Sequence, residues 1–231
     1  PFFKRVSYNK TSLVAKTDGV YKLPSNVCDI YDMLDEAVKK AVRDVDITQY
    51  QRVVLFANPT LCSGYVAGMG TIGKNELTLP NGRKINVSEA WIFNNYNLVI
   101  AHELAHNFGG HHANSYECYD KDGNEAVYTY DCFSYEYDGF YDILGFINDD
   151  FGRAGLNAAH RRELGWLHDS NIITRKNGVY NISDINVFQK RGVIQMIRVP
   201  IKIESTYLYT NDDLYYTIEY DKKYGVLVNL A

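Results

Sequence analysis

At 231 residues, with 46% hydrophobic and 23% charged side chains, the chain has a globular composition and enough length to bury a substantial core. A formal net charge of −4 without any basic stripe excludes the phosphate-neutralising surface that a nucleic-acid partner requires. No apolar run approaches the ~20 residues needed to span a bilayer, so no membrane span is expected.

Residues 1–27 mix polar and β-branched side chains, and Arg5-Val6-Ser7-Tyr8 predicts a short strand before a loop at Pro24-Ser25-Asn26. From Asp29 to about Val45 the apolar positions Ile30, Met33, Leu34, Ala37, Val38, Ala41 and Val42 recur at helical spacing, with acidic residues in the first turns as the helix dipole favours. Arg52-Val53-Val54-Leu55-Phe56-Ala57 reads as a buried strand that Asn58-Pro59 ends. The stretch 64–73, with glycines at 64, 68, 70 and 73, reads as a glycine-rich strand or bulged edge. A phosphate-binding loop would need a Lys-Ser/Thr ending and a following helix, and neither is there. Asn81-Gly82 marks a hairpin turn between Leu77-Thr78-Leu79 and Lys84-Ile85-Asn86-Val87.

A helix is next expected from about Asn94-Asn95, burying Leu98, Val99, Ala101, Leu104, Ala105 and Phe108. It carries His102-Glu103-Leu104-Ala105-His106-Asn107-Phe108-Gly109-Gly110-His111-His112, which holds four of the chain's six histidines. Position by position this fits HExxHxxGxxH, a pattern whose chemistry is zinc-dependent peptide hydrolysis. Residues four apart on a helix sit one above the other, so His102 and His106 present two imidazoles to one point. Gly109 can take the left-handed conformation that ends a helix, and the returning chain can offer His112 as a third nitrogen. His111 is the rival third ligand, one residue short of the expected register. Three protein ligands leave a fourth position for water, the mark of a catalytic Zn²⁺ site. Glu103 is expected to be the general base and not a ligand: the zinc lowers the pKa of its water towards ~7, and Glu103 accepts the proton and later passes it to the leaving amine.

Tyrosine, with 20 copies, thickens in 116–141 and 207–224, and 116–140 reads as a long surface loop beside a cleft. The 4 cysteines, Cys28, Cys62, Cys118 and Cys132, lack close CxxC spacing. Pairings of Cys118 with Cys132 and of Cys28 with Cys62 are favoured, with the other two arrangements left open. Sequons at Asn9, Asn86 and Asn181 point with them to an oxidising, secretory compartment. Pro1-Phe2-Phe3-Lys4 does not resemble a signal peptide, so a signal or pro-segment is expected to lie outside this sequence or to have been removed.

The zinc motif, Tyr137-Asp138-Gly139-Phe140-Tyr141-Asp142-Ile143-Leu144-Gly145 and Leu156-Asn157-Ala158-Ala159-His160-Arg161-Arg162-Glu163-Leu164-Gly165-Trp166-Leu167 together resemble the metzincin clan, and within it the gametolysin-like metallopeptidases. The resemblance covers about residues 50–168. It implies an extended edge strand above the zinc helix that pairs with substrate backbone, for which 85–93 is the candidate, an ordinary sheet strand being the alternative. It also implies a methionine-containing turn as a hydrophobic floor beneath the zinc ligands. Leu144 stands at the methionine position and is close to it in volume. His160 and His168 lie outside the motif and are expected on a helix surface or at a C-cap. Beyond 170, the runs Val179-Tyr180-Asn181-Ile182, 193–199, Tyr207-Leu208-Tyr209 and 215–220, with turns at Lys176-Asn177-Gly178 and Asn211-Asp212-Asp213, predict a small antiparallel β unit.

The expectation is an α+β, metzincin-like fold, with a twisted mixed sheet and active-site helix over 1–170 and a β-rich extension over 171–231. The function expected is that of a secreted, monomeric zinc endopeptidase that holds a protein or peptide extended in a cleft, extracellular or cell-wall glycoproteins being the implied substrates. A tyrosine from 128–141 is a candidate for oxyanion support. Two alternatives stand beside this: a non-catalytic zinc-binding adhesin or pseudo-protease that recognises surface glycoproteins, and a metzincin of another family with Tyr141 as an extra ligand.

Overall fold

The computed structural model describes residues 2–17, 19–24, 27–57, 66–126, 131–146, 155–175, 177–201 and 215–230. The chain is mixed α+β, with few helices and several sheets. It divides into one unit formed by Val14–His111 and another formed by Pro1–Leu13 with His112–Ala231.

In the Val14–His111 unit, helix α2 (Ile30–Ala41) starts where expected because Asp29 caps it, its carboxylate accepting from Tyr31 N at 2.9 Å and Asp32 N at 3.1 Å. Its buried positions Met33, Leu34, Ala37 and Val38 form one stripe. Leu34 and Val38 join Ile47, Leu77, Leu79, Val87 and Trp91 in one core. The Trp91 indole N–H donates to Ile30 O at 2.7 Å, which satisfies a polar atom that would otherwise be buried alone.

Strand β4 (Lys84–Ile92) organises the sheet of this unit. β1 (Arg52–Phe56) runs parallel to it, with Arg52 opposite Ser88 and Phe56 opposite Ile92. Along its other side lie β3 (Asn75–Thr78), antiparallel across the expected Asn81-Gly82 turn, and β2 (Gly68–Gly70), antiparallel to Ala90–Ile92. The 85–93 segment is therefore not an edge strand. Its C-terminal half has partners on both sides, and its burial from Val87 to Ile92 follows from that. Among the described residues β1 and β2 are the two ends of this sheet path.

In the other unit, the expected strand at Arg5–Tyr8 is instead the end of helix α1 (Phe2–Val6). Phe3 and Val6, three apart, are both buried, and Tyr8 and Asn9 take positive φ values of 53° and 65° that stop the helix. The expected loop over 116–140 is built in part as a hairpin of β5 (Ser115–Tyr119) and β6 (Asp131–Tyr135), with residues 127–130 outside the described set. Cys118 lies opposite Cys132 and is disulfide-bonded to it. The Cys28 with Cys62 pairing falls on a residue outside the described ones. A four-stranded sheet follows, β7 (Ile172–Thr174), β8 (Met196–Pro200), β9 (Tyr215–Asp221) and β10 (Gly225–Leu230), in the order β10-β9-β8-β7. The β7 and β8 pair is parallel, so this sheet is not wholly antiparallel. Val179–Ile182 are irregular; the run at 207–209 and the turn at 211–213 lie outside the described residues. Among the described residues no helix is long and apolar enough to cross a membrane.

Helix α4 (Ala158–Glu163) carries a buried polar network. Arg161 is fully buried and donates to Leu156 O at 2.6 Å, Ile185 O at 2.5 Å, Tyr8 Oη at 3.1 Å and Asn186 Oδ1 at 2.8 Å, so its donors end on neutral oxygens. His160 is buried, not on the surface, and its Nδ1 lies 2.9 Å from Asp142 Oδ2. Burial opposes charge on both partners, but each offsets that for the other, and the net direction is up for the His160 imidazole and down for the Asp142 carboxyl. The pair's stabilisation is therefore complete between the ordinary values of the two groups, 3.8 and 6.5; it fades as pH falls from the lower of these through the folded value of Asp142, or rises from the upper through that of His160. His168 caps a 3-10 turn at its N-terminal end, accepting from Ser170 N at 3.0 Å.

Glu219 on β9 accepts a short hydrogen bond from Ala158 N, and burial raises its carboxyl from 4.5 to about 7. The folded chain holds this proton more tightly than the unfolded chain does. Stability from this group is present below about 4.5 and is lost as pH rises through about 7. Glu219→Gln keeps an acceptor for Ala158 N but cannot ionise. The variant is expected to be more stable than the parent at pH 8 and to lose less stability between pH 5 and 8, as measured by urea-unfolding midpoints of the full chain.

Candidate metal centre

Helix α3 (Asn97–His106) buries Val99, Ala101 and Ala105, and alongside them His102, Glu103 and His106. Three ionisable side chains on a buried surface are costly unless each has a partner or a ligand. The four-residue spacing stacks the two imidazoles, with ring centroids 4.7 Å apart and the Nε2 atoms facing at 3.1 Å. His106 Nδ1 lies 2.8 Å from Gly110 O. A carbonyl only accepts, so Nδ1 carries the proton and Nε2 the lone pair.

Past the helix, Gly109 takes φ 111° and donates to His106 O at 2.8 Å, the left-handed closure expected of it. The chain then returns, and His102, His106 and His112 each offer a ligand atom within 4.8 Å of one another. His111 is exposed and stands outside this group. His112 Nδ1 is 2.6 Å from Glu136 Oε1, and the His112 and Tyr137 rings pack at 4.0 Å. The three histidines could hold a metal ion. Three imidazole nitrogens without a thiolate are a donor set that suits zinc, copper, iron or nickel.

Glu103, one residue after the first histidine, is 6% exposed, and desolvation pushes its carboxyl up to about 8. A dication held beside it acts in the opposite sense.

The reason for the glycine-rich stretch lies here. A Cβ on Gly70 would meet the Glu103 carbonyl oxygen at 2.5 Å, and one on Gly68 would meet Glu103 Oε1 at 2.7 Å and Cγ at 2.8 Å. Strand β2 can lie this close to α3 only because it lacks side chains at those positions. Gly73 N donates to His106 O at 2.9 Å, and Asn107 Nδ2 donates to Thr71 O at 3.1 Å and Glu89 O at 2.8 Å, which ties the helix end to the sheet.

Tyr141 is 40% exposed and its ring packs on Tyr224 at 5.0 Å. Of the tyrosines weighed as oxyanion donors, Tyr135 donates to Glu117 Oε2 at 2.9 Å and Tyr137 lies on His112; Tyr128 and Tyr130 are outside the described residues. Leu144 is fully buried, and its carbonyl accepts from Ala113 N, next to His112, at 2.9 Å. The sequence reading missed Glu136, Gly68 and Gly70. The alternation Gly68-Met69-Gly70 was a usable sign of close backbone approach, whereas nothing local links Glu136 to a histidine 24 residues away.

Comparison with protein-family models, with curated proteins and with solved structures finds no match.

The two glycines separate support from chemistry. Gly70→Ala drives a methyl into backbone and is expected to destabilise the chain by about 1–3 kcal/mol and to weaken zinc binding. Gly68→Ala presses on a movable carboxylate and on Val99 Cγ1; the smaller stability loss and the larger loss of any Glu103-dependent activity are expected there. Denaturant titration and zinc titration calorimetry on both variants check this.

Proposed function

We propose that the chain is a zinc-dependent endopeptidase with a metzincin-like catalytic fold. The observation that carries this is the convergence of His102, His106 and His112 with the buried Glu103 at the first ligand's neighbour. Zinc bound by the three imidazoles would acidify a water molecule and polarise a peptide carbonyl. Glu103, buried beside the first ligand, would be the group that accepts a proton from such a water and passes it to the leaving nitrogen. His106 is held in the metal-binding tautomer by Gly110 O.

The outer edge of β2, an end strand of its sheet among the described residues, is the surface that would take an extended peptide by backbone pairing. It runs beside Glu103 through Gly68 and Gly70, so a peptide paired there passes close to the base. The resemblance to gametolysin-like peptidases makes extracellular or cell-wall glycoproteins the substrates. An extracellular location is supported by the Cys118–Cys132 disulfide and by the exposure of Asn9, Asn86 and Asn181, as attached glycans would require.

Zinc content and cleavage of a mixed peptide library test the proposal directly. The parent chain is expected to bind one zinc and to cut, to lose activity to a chelator and to regain it on zinc addition. Glu103→Ala is expected to keep the zinc while cleavage falls by about 10²–10⁴-fold, and His106→Ala to lose the zinc itself. A chain that binds zinc stoichiometrically and cuts nothing in either form would instead be a zinc-bearing adhesin.

A further inference from the structure

We propose that Glu136 is a positioning residue for His112, and that the β5–β6 hairpin is the device that delivers it. This rests on the reading of His102, His106 and His112 as a metal site, and adds the part of the chain that prepares the third ligand.

The hairpin's pairing ends with Ser115 opposite Tyr135. Beyond that point the two segments stay together through other bonds: Tyr137 N donates to Asn114 Oδ1 at 3.2 Å, Gly139 N to Ala113 O at 2.9 Å, and Ser115 Oγ to Asp138 Oδ2 at 2.6 Å. Ala113 N is in turn held by Leu144 O at 2.9 Å. The peptide that follows His112 is thus clamped on both sides. Tyr137 takes φ 67°, a conformation uncommon for a residue with a side chain, and the turn it makes lays its ring on His112 at 4.0 Å. Glu136 arrives at the ring edge, with its Oε1 2.6 Å from Nδ1.

A carboxylate accepts, so His112 Nδ1 carries a hydrogen, and in the neutral ring this leaves the lone pair on Nε2. His106 reaches the same tautomer through a backbone carbonyl. The two ligands are prepared alike by different means, one by its own helix end and the other by a residue 24 positions later. Many surface pairs of this kind contribute little. In this one the carboxylate is 63% exposed, but its histidine side chain is only 23% exposed, and Glu136 follows directly on a register set by the hairpin and its disulfide.

The test uses the full chain as parent, Glu136→Ala, Glu136→Gln and, as a control on the same hairpin, Glu117→Gln. Zinc affinity is measured by competition with a chromophoric chelator, and ligand geometry by the visible spectrum after Co²⁺ loading. Glu136→Ala is expected to weaken zinc binding about 10–100-fold and to alter the Co²⁺ bands. Glu136→Gln, whose amide oxygen still accepts from Nδ1, is expected to restore most of the affinity, and Glu117→Gln to match the parent. Parent-like affinity and an unchanged Co²⁺ spectrum in Glu136→Ala overturn the proposal. The ¹⁵N shifts of His112 in the metal-free parent check it without any variant: an Nδ1–H tautomer is expected, and an Nε2–H tautomer overturns it. A parent that binds no zinc overturns the metal site itself, a failure distinct from one seen only in the variants.

Discussion

Helix α3 lies on strand β2 at a separation that leaves no room for a side chain on Gly68 or Gly70 of the strand, and most of what is specific about the Val14–His111 unit follows from that contact. The limit is set by Gly70 against the Glu103 carbonyl oxygen. The backbone of Glu103 is fixed close to Gly70, and its side chain with that of Val99 fills the space left by Gly68. The same contact needs β4 behind it, because β2 is only three residues long and keeps its place by pairing with Ala90, Trp91 and Ile92. Asn107 and Gly73 close the arrangement at the helix end.

The buried face of α3 departs from the apolar stripe that packing alone would select. Val99, Ala101 and Ala105 supply ordinary core, while His102, Glu103 and His106 occupy neighbouring buried positions. Desolvation pushes the Glu103 carboxyl far up, and the two imidazole Nε2 atoms confront each other at 3.1 Å. A dication held there would act in the opposite sense on Glu103, stabilising the carboxylate. Local departures from packing rules of this kind are expected at functional sites.

The second unit buries an arginine by a different route. Arg161 is wholly buried yet ends on carbonyl, hydroxyl and amide oxygens from Leu156, Ile185, Tyr8 and Asn186. This draws the N-terminal segment into contact with residues far along the chain. Tyr8 Oη also donates to Ile185 O at 2.6 Å, and Phe3 packs on Trp166, with ring centroids at 6.4 Å. The helix at 2–6 exists because these long-range contacts reward a face bearing Phe3 and Val6; four residues of strand-like alternation could not anticipate them.

Helix α2, the Asn81-Gly82 hairpin, the glycine that closes α3, the preference for His112 over His111 and the favoured Cys118–Cys132 pairing were legible in the residues alone. Each depends on spacing within about fifteen residues, where local geometry leaves few alternatives. Tertiary structure decided the rest. The 85–93 strand became central and not an edge because pairing partners on both sides are chosen by sheet assembly, which a strand's own pattern does not encode. His160 went inside because Asp142 was waiting there, and Glu136 reached His112 because a hairpin register carried it across 24 positions. Two histidines on one helix face can be written in one turn of helix; the carboxylate that meets a third, and the glycines that let the helix come close, depend on which surfaces meet once the chain has folded.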